Sequence, residues 1–284
     1  MMEKIYFYFL FFILFISQIN SISDNWRNYP SCNLGRLQSP IELNEYESDY
    51  SNSFSFVYEF YKEVEAINPK YTYTRFWDIT DGGYVNFEKK GVIKQYELQK
   101  IEIYNGIHKI DGKFGDYELH LVHKKNLDFN SHKNQYRKIV DANMYLTVVL
   151  RYKKNCNETD IKCISDNGLL TNLIDSGTSF NLNNYPIYQD KRAYFYEGSF
   201  LYTPCDENVN YFVVDDFFYS DELNDTNIFN VIPNTTDFNN IIEPKNKYGR
   251  PVLKNFMNYR EFLKSKNISI NMYYLILMIC IIFI

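Results

Sequence analysis

Histidine is scarce in this chain: there are 4 in 284 residues, none precedes His108, and three fall between Ile101 and His123. Any centre built on imidazole is thereby confined to one short stretch. Charge of one sign is also lacking. A formal charge of -5, from 30 basic and 35 acidic residues, supplies no general argument for nucleic acid as a partner. No internal repeat and no flexible linker divides the chain, which excludes solenoids and tandem arrays. A 45% apolar share with 23% charged residues fits one globular domain with end segments and not a disordered chain.

What is abundant is aromatic. The 27 Tyr and 23 Phe residues suit pleated, half-buried surfaces, although codon usage in an AT-rich genome would also enrich Tyr. Short runs bounded by Gly, Asn, Asp or Pro predict strands at 54–60, 71–77, 84–87, 94–104, 117–122, 144–152, 193–196 and 211–214, with a terminal edge at Val252. A short amphipathic helix is expected between Ile161 and Ile174, with Gly168 blurring its limits, and a weaker one over Ser220–Phe229.

Within Ile101–His123, two alternating runs flank a turn rich in Gly and Asp. Side chains on a strand point to opposite faces in turn. Glu102 and Tyr104 therefore share one face, with Ile101, Ile103 and Asn105 on the other. Further on, Glu118, His120 and Val122 point together, away from Leu119, Leu121 and His123. His120 and His123 thus cannot hold one metal from a regular strand.

The first 23 residues have one early Lys4, an apolar run from Ile5 to Ile16 and Ser21-Ile-Ser23, the layout of a secretory signal peptide, with an uncleaved anchor as the alternative. The last 13 residues, from Met272, are apolar and no charge follows them. This resembles a GPI-attachment signal, with acceptor Ser265, Asn267 or a neighbour; a short membrane tail is the rival. Residues 24–258 are the expected domain, and 259–284 a spacer with the anchor or signal. Cys280 lies in the tail, leaving Cys32, Cys156, Cys163 and Cys205, which allow three pairings. A zinc-cysteine site is disfavoured in an oxidising compartment. Sequons at Asn157, Asn224, Asn234 and Asn267 are candidate glycan sites in an exported protein. The segment Leu121–Asn155 carries eight cations (Lys124, Lys125, Lys133, Arg137, Lys138, Arg151, Lys153 and Lys154) against Asp128 and Asp141. It reads as a solvated face or as a patch for a polyanion such as a sulfated glycan.

Five stretches, in order, carry a resemblance. QSPIEL after Cys32, ELHLVH (118–123), YLTVVLRY (145–152), EGSFLYTPCDENV (197–209) and GRPVL (249–253) together resemble the alpha class of carbonic anhydrases, over nearly all of residues 26–252. The resemblance implies a single, mostly β domain with a central, twisted, largely antiparallel sheet of about ten strands, short peripheral helices and a cone opening on one face. It also implies a disulfide between Cys32 and Cys205, leaving Cys156 to pair with Cys163.

In that family a strand reading FHFHWG supplies two zinc-binding histidines and ELHLVHW a third. Laid over this chain, the first two positions hold Glu102 and Tyr104, and only His120 remains. A catalytic zinc needs about three protein ligands and an open position, where it lowers the pKa of bound water to about 7. A phenol with a pKa of about 10 is a poor ligand. The family's hydroxide-orienting threonine falls on Leu201, beside Tyr202, and the glutamate behind it on Ile107; the proton-shuttle histidine would lie near Gly83–Val85. Glu118 matches the group that orients the third histidine, and His108 and His123 match structural histidines. A charge-assisted Glu102–His120 pair is expected to fill the vacated metal site.

The resulting expectation is a cell-surface or secreted pseudoenzyme without cofactor, serving as a binding or adhesion module for a glycan or protein ligand and held to the membrane by its carboxyl-terminal anchor. The alternative is carbon dioxide hydration with an atypical metal set that includes His120 and Glu102.

Overall fold

The computed structural model describes residues 32, 35–65, 70–71, 75–127, 129, 143–154, 163–174, 179–185, 191–202, 204–220, 249–258 and 261. Its strands, in chain order, begin with β1 (Glu42–Leu43), β2 (Asp49–Tyr50), β3 (Phe54–Tyr61), β4 (Glu63–Glu65), β5 (Lys70–Tyr71), β6 (Arg75–Asp78), β7 (Gly83–Lys89) and β8 (Val92–Asn105). Then follow β9 (Lys109–Ile110), β10 (Lys113–Phe114), β11 (Tyr117–Lys125), β12 (Tyr145–Tyr152) and β13 (Cys163–Ser165). Helix α1 (Leu169–Ile174) precedes β14 (Ser179–Asn181), β15 (Ala193–Gly198), β16 (Val209–Tyr219) and β17 (Leu253–Lys254).

Twelve of these strands form one curled sheet, ordered β2-β17-β15-β16-β12-β11-β8-β6-β5, with β13 on β16 and β7 linking β3 to β8. The sheet is mixed: β12 and β16 at its centre run parallel, as do β13 with β16 and β17 with β2, among antiparallel neighbours. Centre strands are covered on both sides. In β12, Leu146, Val148 and Leu150 enter the main core with Leu119, Leu121, Ile101 and Ile103, while Val149 joins a second core with Ile41, Tyr194, Tyr196 and Tyr211. Each such buried aliphatic side chain contributes about 1.5–3 kcal/mol by leaving water.

The helix expected over 161–174 splits. Residues 163–165 pair with β16, positive φ at Asn167 and Gly168 turns the chain, and only Leu169–Ile174 is helical. Asp166 then accepts from the Gly168 and Leu170 amides (2.9 and 3.0 Å), satisfying the first turn. The weaker helix over 220–229 falls almost wholly outside the described residues, as do both ends of the chain, His132, Cys156 and all four sequons. Among the described residues, no helix is long and apolar enough to cross a membrane.

Three of the motif stretches converge beside the central sheet. Cys32 and Cys205 are joined by a disulfide with Cα atoms 5.1 Å apart. Ser39 and Ser199 exchange backbone-to-hydroxyl hydrogen bonds, each 3.1 Å. Arg250 donates to the Glu197 carbonyl (2.9 Å) and to that of Gln38. The loop after β15, which carries Leu201 and Tyr202, is thereby fixed to the entry arm. Cys163 is also disulfide-bonded.

Candidate functional site

Two adjacent strands, β8 and β11, build the site. In their antiparallel register His120 faces Glu102 and Glu118 faces Tyr104, so the parity that sends Ile101, Ile103, Leu119 and Leu121 into the main core sends the polar residues to the opposite side. Glycine shapes the exit from β8. A Cβ on Gly106 would lie 1.9 Å from the Gly115 carbonyl oxygen, and this contact lets the chain turn so that the Ile107 and His108 amides point at Glu118.

Glu118 is fully buried and accepts four hydrogen bonds, from Ile107 N (3.0 Å), His108 N (2.6 Å), His108 Nδ1 (2.7 Å) and His120 Nε2 (3.0 Å). Burial pushes its carboxyl up, but the charges and hydrogen bonds of His108 and His120 outweigh it and hold the group well below the usual carboxylate range. Burial lowers His108, with Glu118 opposing. His108 donates to the anionic Glu118 through Nδ1, and its Nε2 lies 2.7 Å from the Tyr196 hydroxyl. Tyr196 stacks on Tyr211, ring centroids 4.9 Å apart, and Tyr211 donates to the Ser199 carbonyl (2.8 Å). Glu118, expected to orient His120, lies within hydrogen-bond reach of it, and His108 is buried beside both. His123, on the other face of β11, donates through Nδ1 to the Leu121 carbonyl (2.9 Å) and accepts at Nε2 from Tyr61 O–H (2.9 Å).

The neighbouring half is arranged differently. Tyr104 donates to Glu102 (3.0 Å), whose other oxygen lies 3.4 Å from Lys100 Nζ. Burial, with the charge of Glu102 adding to it, pushes the Tyr104 phenol well above its usual range, so it stays a donor. The expected Glu102–His120 pair does not form. His120 turns its Nε2 to Glu118, two residues away on the same strand face, and Glu102 takes the nearby ammonium of Lys100. His120 meets Tyr104 through ring contact, centroids 4.7 Å apart. Tyr104, Ile107 and Leu201 form a small apolar cluster of their own, and Tyr202 lies beside them with its ring against Lys100 Nζ at 5.3 Å. The sequence reading missed Lys100 and Phe76. Lys100 stands two residues before Glu102, so strand parity alone placed it on the same face.

His108, Glu118 and His120 offer ligand atoms within 4.8 Å of one another. They do not fit a catalytic metal. Glu118 is saturated by its four donors and both ring nitrogens of His108 are engaged. In the other half, Glu102 is held by a phenol and an ammonium. Among the described residues of the site this leaves His120 Nδ1, short of the three ligands a hydrolytic zinc requires.

The basic run over 121–155 is reduced by folding. Arg151 is 1% exposed, donates to the Val214 and Asp215 carbonyls and lies over the Phe217 ring at 4.2 Å. Lys153 pairs with Asp116 (3.5 Å). Lys133, Arg137 and Lys138 lie outside the described residues.

A β-rich chain curled around a buried Glu–His–Tyr network defines a carbonic anhydrase-type fold. Residues 21–256 match the model of the eukaryotic-type carbonic anhydrases, and the chain belongs to that family. No curated protein matches it. Among solved structures it is similar to dioscorin complexed with ascorbate, at 18% identity and TM-score 0.57, covering 83% of this chain and 94% of dioscorin. It is also similar to a halotolerant carbonic anhydrase from Dunaliella salina (16%, TM-score 0.57, covering 80% and 90%). A third is the alpha-carbonic anhydrase of Photobacterium profundum (20%, TM-score 0.54, covering 79% and 92%).

Proposed function

We propose that this family member is non-catalytic and serves at the cell surface as a binding or adhesion module. The observation that carries the reading is the apolar cluster of Tyr104, Ile107 and Leu201, at positions where the family resemblance assigns a zinc ligand and the pair that orients the attacking hydroxide. An apolar cluster accepts no proton and aligns no hydroxide, and Glu102 is occupied by Tyr104 and Lys100. The export and anchoring signals of the sequence support a surface location, with a GPI anchor favoured over a peptide tail. Metal analysis and stopped-flow carbon dioxide hydration on one purified sample test the proposal. The expected result is no zinc after dialysis and no acetazolamide-sensitive rate; stoichiometric zinc with such a rate would refute it.

The enzyme reading has one observation behind it, the proximity of His108, Glu118 and His120, and the same sample decides it. For the ligand, Lys124, Lys125, Lys153 and Lys154 are the cations of the basic run that remain outside the core among the described residues. They favour a polyanion such as a sulfated glycan. A glycan array probed with the protein and with a variant carrying glutamate at these four lysines is expected to lose its sulfated-glycan signal in the variant. Equal binding by both would remove the glycan from consideration.

A further inference from the structure

We propose that the site's resident cation is supplied by the chain itself: the ammonium of Lys100, held by Glu102 between the rings of Phe76 and Tyr202, replaces the charge a metal ion would bring. The inference rests on the non-catalytic reading above and names what stabilises the site in its place. Lys100, Glu102 and Tyr104 are alternate residues of β8 and share one face. Glu102 is 3% exposed, and a carboxylate so buried needs a compensating charge or donor. It has both, Tyr104 O–H at 3.0 Å and Lys100 Nζ at 3.4 Å.

The cation in turn has a built seat. Its Nζ lies 4.5 Å from the ring centroid of Phe76 and 5.3 Å from that of Tyr202, both within the range where a ring face attracts an ammonium. Phe76 is the register partner of Glu102 across β6 and β8, so sheet pairing sets one wall of the seat beside the carboxylate. The other wall comes from the loop tied down by the Cys32–Cys205 disulfide. Carboxylate, phenol and two ring faces form a site for a primary ammonium, with the lysine occupying it in cis.

The test uses the full-length protein from a secretory host. Lys100→Ala is expected to lower Tm by about 10 °C, because it strands a buried charge. Methylammonium at tens of millimolar should recover part of that loss, whereas sodium at equal ionic strength should not. Lys100→Met with Glu102→Gln removes both charges and is expected to regain most of the stability; it decides the matter if Lys100→Ala does not fold. An unchanged Tm in Lys100→Ala overturns the proposal, as does a double variant no more stable than the single one together with no methylammonium effect. Metal analysis of the same wild-type sample separates the two readings. Bound zinc refutes the non-catalytic reading and this inference with it, whereas a zinc-free protein indifferent to Lys100 refutes only the inference.

Discussion

The two halves of the polar site, a few residues apart on paired strands, have been treated differently. On β11, Glu118, His120 and the adjoining His108 form a network in which every carboxylate contact is 3.0 Å or shorter. On β8 and the loop after β15, Glu102, Tyr104 and Leu201, the residues that the family resemblance lays over ligand and hydroxide-handling positions, make different contacts, an ion pair and an apolar cluster. The difference is between a carboxylate that backbone amides hold in place and one held by the side chains of Tyr104 and Lys100. Four donors, two of them backbone amides, converge on Glu118, so its loss disturbs the chain path. The β8 side chains Glu102 and Tyr104 meet one another, Lys100, and the rings and apolar groups around them.

That contrast can be broken by substitution. The largest expected effect is at Glu118: replacement by Leu strands four buried donors and should cost about 3–5 kcal/mol in denaturant unfolding. A cost under about 1 kcal/mol would show that the network is not what holds the site.

His123, on the opposite face of β11, provides a pH-dependent comparison. Burial lowers its imidazole from 6.5 to about 4, partly offset by bonds to the Leu146 and Leu121 carbonyls. Below 6.5 the unfolded chain therefore binds a proton that the folded protein refuses. Stability falls with falling pH, by about 3 kcal/mol in all on reaching about pH 4. Glu59 is raised by burial to about 7 and acts in the opposite sense over part of this range. The difference between wild type and His123→Gln isolates the histidine: the difference curve should slope between pH 6.5 and 4. A flat one would contradict the buried, neutral assignment.

Glu102→Leu is expected to cost less, about 1–2 kcal/mol. The lysine it releases is 24% exposed at its side chain and can reach water. A penalty matching that of Glu118→Leu would erase the distinction between the halves. Smallest is Leu201→Thr, which puts a hydroxyl back into the cluster with Tyr104 and Ile107. It should cost about 1 kcal/mol and, on the non-catalytic reading, produce no carbon dioxide hydration; measurable activity would refute that reading.

Much of this was legible in the sequence. Alternation along 101–105 and 118–123 gave the faces correctly because strand parity is rigid. The Cys32–Cys205 bond followed from the family resemblance. What was not legible depended on distances across strands. Nothing local indicates that Glu102 prefers Lys100 to His120, because both are within one strand spacing and the choice follows from the prior claim of Glu118 on His120. Arg151 counted as surface charge until the sheet showed it enclosed by β16. The break at Asn167–Gly168 was hidden because apolar spacing over Ile161–Ile174 continues through a strand, a turn and a helix alike. The parallel β12–β16 pair could not be read either, since the connection between them runs through 56 residues, from 153 to 208.

The bond between Cys32 and Cys205 spans 173 residues, and a ribosome delivers its first thiol long before its second. Until the loop after β15 emerges, Cys32 has only Cys156 and Cys163 as partners within the growing domain, and either choice would trap the entry arm away from Ser199 and Arg250. Correct oxidation therefore requires Cys32 to stay reduced until Cys205 emerges, or a wrong bridge to be reshuffled by thiol exchange. Maturation of this molecule is thus paced by the order in which its sulfurs meet.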